Sequence, residues 1–308
     1  RHAALTAEGL AEHSGTQLVV WAETMWPWPG VKPGDSGIMR RPWPGRPAEE
    51  LPIQTLARLQ TSQVAALLEG HPSTQLLAGA HFYRGILESS TPETMSPRTS
   101  EVMLFDADGL LVDRSGKQEL VPFGESLPFG GAFPGARSLA VRVFAATGLL
   151  PDFDRPPYTG PLTTGRSPQL LGVAVCWENM FPEVFRRQAL DGAQAFIVQS
   201  NEAWYATGVE MDQMVAATRW RAVETGRPVL RVTNPGVTLL VGMNGSILDF
   251  LPRGESGVLF TNLPCRPLGA PLPPFSVWGW LLSPAIALLV LIISLTPFQA
   301  MARFSLQR

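Results

Sequence analysis

The chain has 308 residues, and its 24 Lys+Arg against 26 Asp+Glu leave a formal net charge of −2. Such a balance argues against a polyanionic partner, nucleic acid included. Only 16% of residues are charged and Gly and Pro number 29 each, which describes a loop-rich globular protein with one very apolar region. Two cysteines without CxxC spacing and four scattered histidines (His2, His13, His71, His81) argue against a zinc site, and no metal or other cofactor is expected.

In chain order, a helix is expected over Ala3–Glu12 and a strand over Gln17–Trp21. The Pro-rich segment Pro27–Pro47 is left unassigned, and a helix is expected over Ala48–Leu68. Strands follow at Thr74–His81 and Glu101–Asp106, separated by a second unassigned segment, Glu88–Thr99. After the third such segment, Leu127–Arg166, come a strand at Leu170–Cys176, a helix at Pro182–Leu190, a strand at Ala195–Gln199 and a helix at Val209–Thr225. Strands at Pro228–Thr233, Val237–Val241 and Val258–Leu263 complete the folded part. Asp108–Gly109 and Asn244–Gly245 each divide two apolar runs and predict hairpins. The alternation reads as mixed α/β. Long loops rich in Pro and Gly are read as lids or binding loops, and Pro27–Pro47 as one that meets lipid through Trp26, Trp28 or Trp43, with core packing as the alternative for these indoles.

From Val277 to Leu295 there is no charged side chain, and at about 1.5 Å per residue this run approaches the roughly 30 Å hydrocarbon thickness of a bilayer. A single transmembrane helix is expected, making residues 1–270 one large domain and 271–308 an anchor with a short tail. Trp278 and Trp280 at its entry and Arg303 and Arg308 beyond its exit place the C-terminus in the cytoplasm and the domain outside it. The chain opens on Arg1 with no signal-peptide pattern, so it is expected to begin within a longer protein.

Cys176 ends an apolar run, LLGVAVCWEN, just before a helix. A helix N-terminus there is expected to lower the thiol pKa, although a lone cysteine in an apolar strand is by default an inert small hydrophobe. Glu23, after LVVWAE, and Lys117, before LVPFGE, are charged residues in apolar surroundings. A thiol nucleophile needs a base and a fixed cation to meet the oxyanion, and these side chains supply both; considered separately, each is more simply a surface carboxylate or a turn lysine.

Five strings in order, WAE at Trp21–Glu23, KQELVPFGE at Lys117–Glu125, VCWE at Val175–Glu178, SNEAWY at Ser200–Tyr205 and RAVETGRPVLRVTNPG at Arg221–Gly236, resemble the successive motifs of the nitrilase superfamily. LVPFGE and the apolar C-terminal run are similar to its apolipoprotein N-acyltransferase branch. The resemblance implies a four-layer α-β-β-α sandwich with Glu23 as general base, Lys117 as the oxyanion cation and Cys176 as nucleophile. Glu125 and Glu178 match further acidic positions of the site, the Trp177 amide is a second oxyanion donor, and Trp28 and Trp204 are candidate substrate contacts.

The reaction so implied moves an acyl chain from a phospholipid, through a cysteine thioester, to the N-terminal amine of a diacylglyceryl-cysteine lipoprotein. Its implied setting is the bacterial inner membrane, with the domain on the periplasmic side. Members of the branch also carry an opening strand and a multi-helix membrane domain ahead of these motifs, for which the 308 residues hold no counterpart, so a separate membrane domain is a possible partner. Trp177 stands where a tyrosine is usual, Glu202 for an aspartate and Met214 for a histidine. Two rivals stay open: a membrane-anchored amidohydrolase using the same three residues with water, and a non-catalytic lipoprotein-binding partner.

Overall fold

A computed structural model describes residues 1–32, 38–43, 46–83, 98–126, 153–165, 168–203 and 208–295. The chain opens with α1 (His2–Glu12) and the short strand β1 (Leu18–Val20). A two-stranded ribbon, β2 (Ile38–Trp43) and β3 (Arg46–Pro52), leads into α2 (Ile53–Leu67). Next come β4 (Gln75–Tyr83), β5 (Arg98–Phe105) and β6 (Leu111–Gly116). β1 pairs parallel to β4, and β4, β5 and β6 run antiparallel, giving a four-stranded sheet in the order β1-β4-β5-β6.

The second half builds β7 (Leu162–Thr163), β8 (Leu170–Val175), α3 (Pro182–Leu190), β9 (Ala195–Ser200), α4 (Val209–Thr225), β10 (Val229–Thr233), β11 (Thr238–Val241) and β12 (Ile247–Leu251). These strands form a six-stranded sheet whose central trio, β8, β9 and β10, is parallel. β8 is a continuous apolar run and β9 is one up to Val198, because both of their faces are covered. α3 starts on a proline at its first turn, and α4 stops at Gly226 in the left-handed conformation, the usual punctuation of helix ends.

Three apolar clusters define four layers. Leu10 of α1 and Val64 of α2 pack on Leu76, Ala78, Met103 and Phe105 of the first sheet. Leu77, Val102 and Leu104 meet Leu171, Val173 and Ile197 between the sheets. Phe185, Ala189 and Ala222 of α3 and α4 cover Phe196, Val198 and Val229 on the far side. β1 is an edge strand, and a groove of about 1810 Å³ runs along it, lined by Leu18, Val20, Leu230, Val232 and Leu263 among others.

Several expectations change. The first five residues of the helix expected over Ala48–Leu68 belong instead to the strand Arg46–Pro52, so α2 begins at Ile53. Val258–Leu263 joins no ladder among the described residues; its Val258 and Phe260 pack near Gly9 of α1 instead. Both Xaa-Gly hairpins form, with β5–β6 and β11–β12 antiparallel. Much of the three unassigned segments lies outside the described residues, as do Arg303 and Arg308.

The C-terminal element, α5 (Pro274–Leu295), is not the single spanning helix expected. Among the described residues no single helix is long and apolar enough to cross a membrane; Pro274–Leu281 and Pro284–Ser294 together satisfy length and composition but are bent by 46°. Pro284 is the reason: it lacks an N–H and its ring clashes with the preceding turn. The first segment is docked on the domain, with Ser276 Oγ donating to the Glu224 carbonyl at 2.6 Å and Arg186 Nη1 reaching the Ser276 carbonyl at 3.3 Å. Beyond the bend, every large apolar side chain from Ile286 to Ile293 is more than half exposed.

Candidate active site

Four stretches of chain converge at the ends of β1, β6 and β8. The Trp21 amide extends the β1–β4 pairing by donating to Leu77 O at 2.9 Å, and Glu23 follows two residues later with its side chain buried. Gly79 of β4 makes room for this passage: a Cβ there would lie 2.9 Å from Thr24 N and 3.3 Å from Glu23 Cα. The Lys117 amide continues the β5–β6 ladder through Ser100 O at 2.9 Å, and its side chain is fully buried. Glu125 sits in the tight turn Val121–Ser126, where Val121 O accepts from the amides of Glu125 and Ser126. Cys176 follows β8 directly and opens a five-residue 3₁₀ helix, Cys176–Met180.

Lys117 Nζ is 2.6 Å from Glu125 Oε1 and 3.7 Å from Glu23 Oε1. The second oxygen of Glu23 accepts the Asn201 amide at 2.9 Å, and its carboxylate also hydrogen-bonds the Cys176 side chain. Glu125 Oε2 accepts the Val121 amide at 2.8 Å. The site therefore places an ammonium between two carboxylates, one of which, Glu23, is also beside the thiol.

The charges result from this packing. Burial first, and then the Glu23 carboxylate, push the Cys176 thiol up to about 12, with Lys117 offsetting only part. This corrects the expected lowering: Cys176 opens a short 3₁₀ helix rather than an α-helix, and desolvation with a neighbouring anion outweighs any dipole. Glu23 is raised above the ordinary carboxylate range by burial, against the pull of Lys117 and the Asn201 amide. Burial alone would lower Lys117, but Glu23, Cys176 and Glu125 hold it above its usual range, so it stays an ammonium.

Glu178 has a different place. Its Oε1 accepts the amides of Gln118 (2.6 Å) and Glu119 (2.9 Å) and its Oε2 that of Val175 (2.7 Å), while burial raises it to about 7. Both oxygens are occupied by backbone, so Glu178 ties the segment after Lys117 to the one before Cys176. The Trp177 indole donates to Glu119 O at 3.0 Å and packs edge-on to Phe181. Trp28 is half-buried, donating to Gln63 of α2 at 3.1 Å. Trp26 is core, against Phe105 and Trp21, which rules out a lipid-facing role for it. Trp204 and the side chain of Trp43 lie outside the described residues. Both cysteines are free, and Cys265 Sγ contacts Gln169 Oε1 at 3.2 Å.

Some participants escaped the reading of the sequence, namely Gly79, the Asn201 amide and the strained backbone. Among the described residues, three non-glycine residues have positive φ: Thr24 (56°), Phe123 (63°) and Cys176 (57°). One is the candidate nucleophile and the others lie one and two residues from the two carboxylates, which fits the tendency of backbone strain to gather at functional sites. The SNEAWY string drew attention to the neighbourhood of Asn201, but nothing in it marks a backbone amide as a partner of Glu23.

A family model described as carbon-nitrogen hydrolase matches residues 1–268. The chain is similar to proteins named apolipoprotein N-acyltransferase: that of Shewanella oneidensis is 35% identical over 150 residues, 48% of this chain and 27% of that protein. For the one from Geobacter metallireducens the figures are 30% over 151 residues, 49% and 27%. The matched stretch thus spans about a quarter of the length of these relatives. In fold, the chain is like the carbon-nitrogen hydrolase of Helicobacter pylori G27, with a TM-score of 0.53 at 18% identity, covering 82% of this chain and 80% of that one.

Proposed function

Because the chain belongs to the carbon-nitrogen hydrolase family, we propose that it is an acyltransferase in which Cys176 takes an acyl chain from a phospholipid and passes it to the N-terminal amine of a diacylglyceryl-cysteine lipoprotein. The observation that carries this reading is the contact of Glu23 with both Cys176 and Lys117, three residues from distant parts of the chain. The names of the relatives supply the choice of substrates.

In the first half-reaction, Glu23 accepts the thiol proton as Sγ attacks the ester carbonyl, since a thiol raised to about 12 is not a thiolate at neutral pH. Negative charge develops on the carbonyl oxygen and is met by Lys117 and by the Trp177 amide at the first turn of the 3₁₀ helix. Collapse expels the lysophospholipid alkoxide, which recovers the proton from Glu23, and a thioester remains. In the second, the lipoprotein amine attacks the thioester, Glu23 takes a proton from the nitrogen, and the departing sulfur receives it. Glu125 keeps Lys117 charged and aimed, and Glu178 holds the segments of Lys117 and Cys176 together.

The exposed apolar segment beyond Pro284 supports a domain held at a bilayer, because an unbroken run of exposed Ile, Leu and Val is costly in water. The Trp-flanked entry and the basic tail favour the bacterial inner membrane with the domain on its outer face. The fold likeness to a carbon-nitrogen hydrolase favours a second reading, hydrolysis of a small amide with water as the final acceptor.

The test supplies the full chain, in lipid micelles, with a phospholipid carrying a labelled acyl chain. The expected result is a hydroxylamine-labile adduct on Cys176, absent from Cys176→Ala and discharged by a diacylglyceryl-cysteine lipopeptide to give an amide. Turnover of a small amide without any adduct from phospholipid overturns acyl transfer in favour of hydrolysis.

A further inference from the structure

Phe123 is the middle of the tight turn that carries Glu125. Its amide donates to Ser126 O at 2.7 Å, and Val121 O closes the turn at 2.8 and 3.1 Å. The Phe153 amide donates to Glu125 O at 3.0 Å and clamps the turn from outside. Within this frame Phe123 has φ +63°, a conformation unfavourable for a bulky side chain and natural for glycine or asparagine. A glycine stands at the next position, Gly124, yet the left-handed site is filled by phenylalanine.

Nor is the ring used for packing. It is 59% exposed and belongs to none of the apolar clusters among the described residues. Glu125, two residues on, hydrogen-bonds Lys117 at 2.6 Å, so the phenyl group is carried by the same tight turn that delivers a carboxylate to the site. A strained backbone that presents an apolar ring to solvent beside an acyl-transfer pocket is explained by something that covers the ring when substrate binds.

We infer that Phe123 is a specificity-determining residue whose ring packs against the methylenes of the donor acyl chain. This rests on the acyl-transfer reading and names how the same site selects its substrate. The backbone of the turn is held by its own hydrogen bonds before substrate arrives, so binding has only the side chain to order.

The experiment measures thioester formation on Cys176 of the full chain with palmitoyl and with hexanoyl phosphatidylethanolamine. Phe123→Gly is expected to lower kcat/KM for the palmitoyl donor roughly tenfold or more, with a smaller loss for the hexanoyl donor, as removal of one apolar contact predicts. Phe123→Leu is expected to retain most of the chain-length preference. The melting temperature of Phe123→Gly should not fall, because glycine adopts the left-handed position freely; Phe123→Asn, also tolerant of it, serves if the glycine variant loosens the turn. A wild-type palmitoyl-to-hexanoyl ratio in the Gly and Asn variants overturns the inference alone. Absence of any thioester in the unaltered protein overturns the acyl-transfer reading and this inference with it.

Discussion

Replacing Glu23 by glutamine separates the charge of that side chain from its shape. An amide oxygen still accepts the Asn201 N–H, 2.9 Å from Glu23 Oε2, so the chain path is kept. Lys117 loses its partner at 3.7 Å but retains Glu125 at 2.6 Å. At an effective dielectric of about 20 a pair near 4 Å has a gross attraction of about 4 kcal/mol, and the closer Glu125 pair has more, so the ammonium stays charged. The sulfur, however, loses an anion that helps hold its pKa up near 12. Two effects of opposite sign result. Alkylation of Cys176 by iodoacetamide, followed against pH by mass spectrometry, should show its midpoint at lower pH in Glu23→Gln than in the unaltered protein. Thioester formation at neutral pH should fall by roughly 10²–10⁴, the usual worth of a positioned base. If alkylation instead moves to higher pH, or acyl transfer survives, Glu23 is not the proton acceptor for this thiol.

The unaltered enzyme should lose acylation rate on acidification through a limb above the ordinary carboxylate range, because Glu23 is raised and only its ionised form is a base; a pH–rate profile of adduct formation reads this directly. Lys117→Met leaves Glu23 and Glu125 facing each other without the buried cation, so we expect about 3–5 kcal/mol of destabilisation in urea titrations and a loss of roughly 10²–10³ in thioester formation. In Gly79→Ala the added methyl group meets Thr24 N at 2.9 Å; stability should drop by about 1–3 kcal/mol, and the displaced Glu23 should slow acylation about 10²-fold in the same assay. Deleting residues 284–308 should abolish cosedimentation with lipid vesicles while leaving the urea midpoint of the domain unchanged, since the apolar side chains from Ile286 to Ile293 are exposed.

α3 and α4 fall where the sequence predicts them, Pro182–Leu190 and Val209–Thr225, because proline and glycine mark their ends. The stretch from Ala48 to Pro52 misleads because Ala48, Glu49 and Glu50 favour helix, whereas pairing with β2 decides its state, a tertiary effect invisible locally. Val258–Leu263 has a strand-like composition but, among the described residues, no neighbour to pair with. The side chains of the site were legible through ordered motifs. The state of the thiol was not, because its largest perturbations are burial and a carboxylate more than a hundred residues away. Glu178 likewise stands out as a buried acid, yet only its three amide partners reveal a tie between segments.

The site depends on two sheets that do not share a strand. Glu23 is delivered by the first sheet through β1 and Cys176 by the second through β8, so their contact requires one definite offset between the sheets. The interface between them is mostly Leu, Val and Ile, and such packing tolerates small slides at little cost. Gln199 of β9 limits that freedom, together with the ties that Glu178 and the Asn201 amide make between the sheets. It is fully buried, it stands in register with Val175, and its amide donates across the interface to Leu77 O at 3.3 Å, the same carbonyl that accepts the Trp21 amide two residues before Glu23. A slide that broke this bond would strand a polar group in an apolar layer, at a cost of about 1–3 kcal/mol. Apolar burial thus brings the layers together, while a few buried polar ties, Gln199 among them, set the height at which the carboxylate and the sulfur meet.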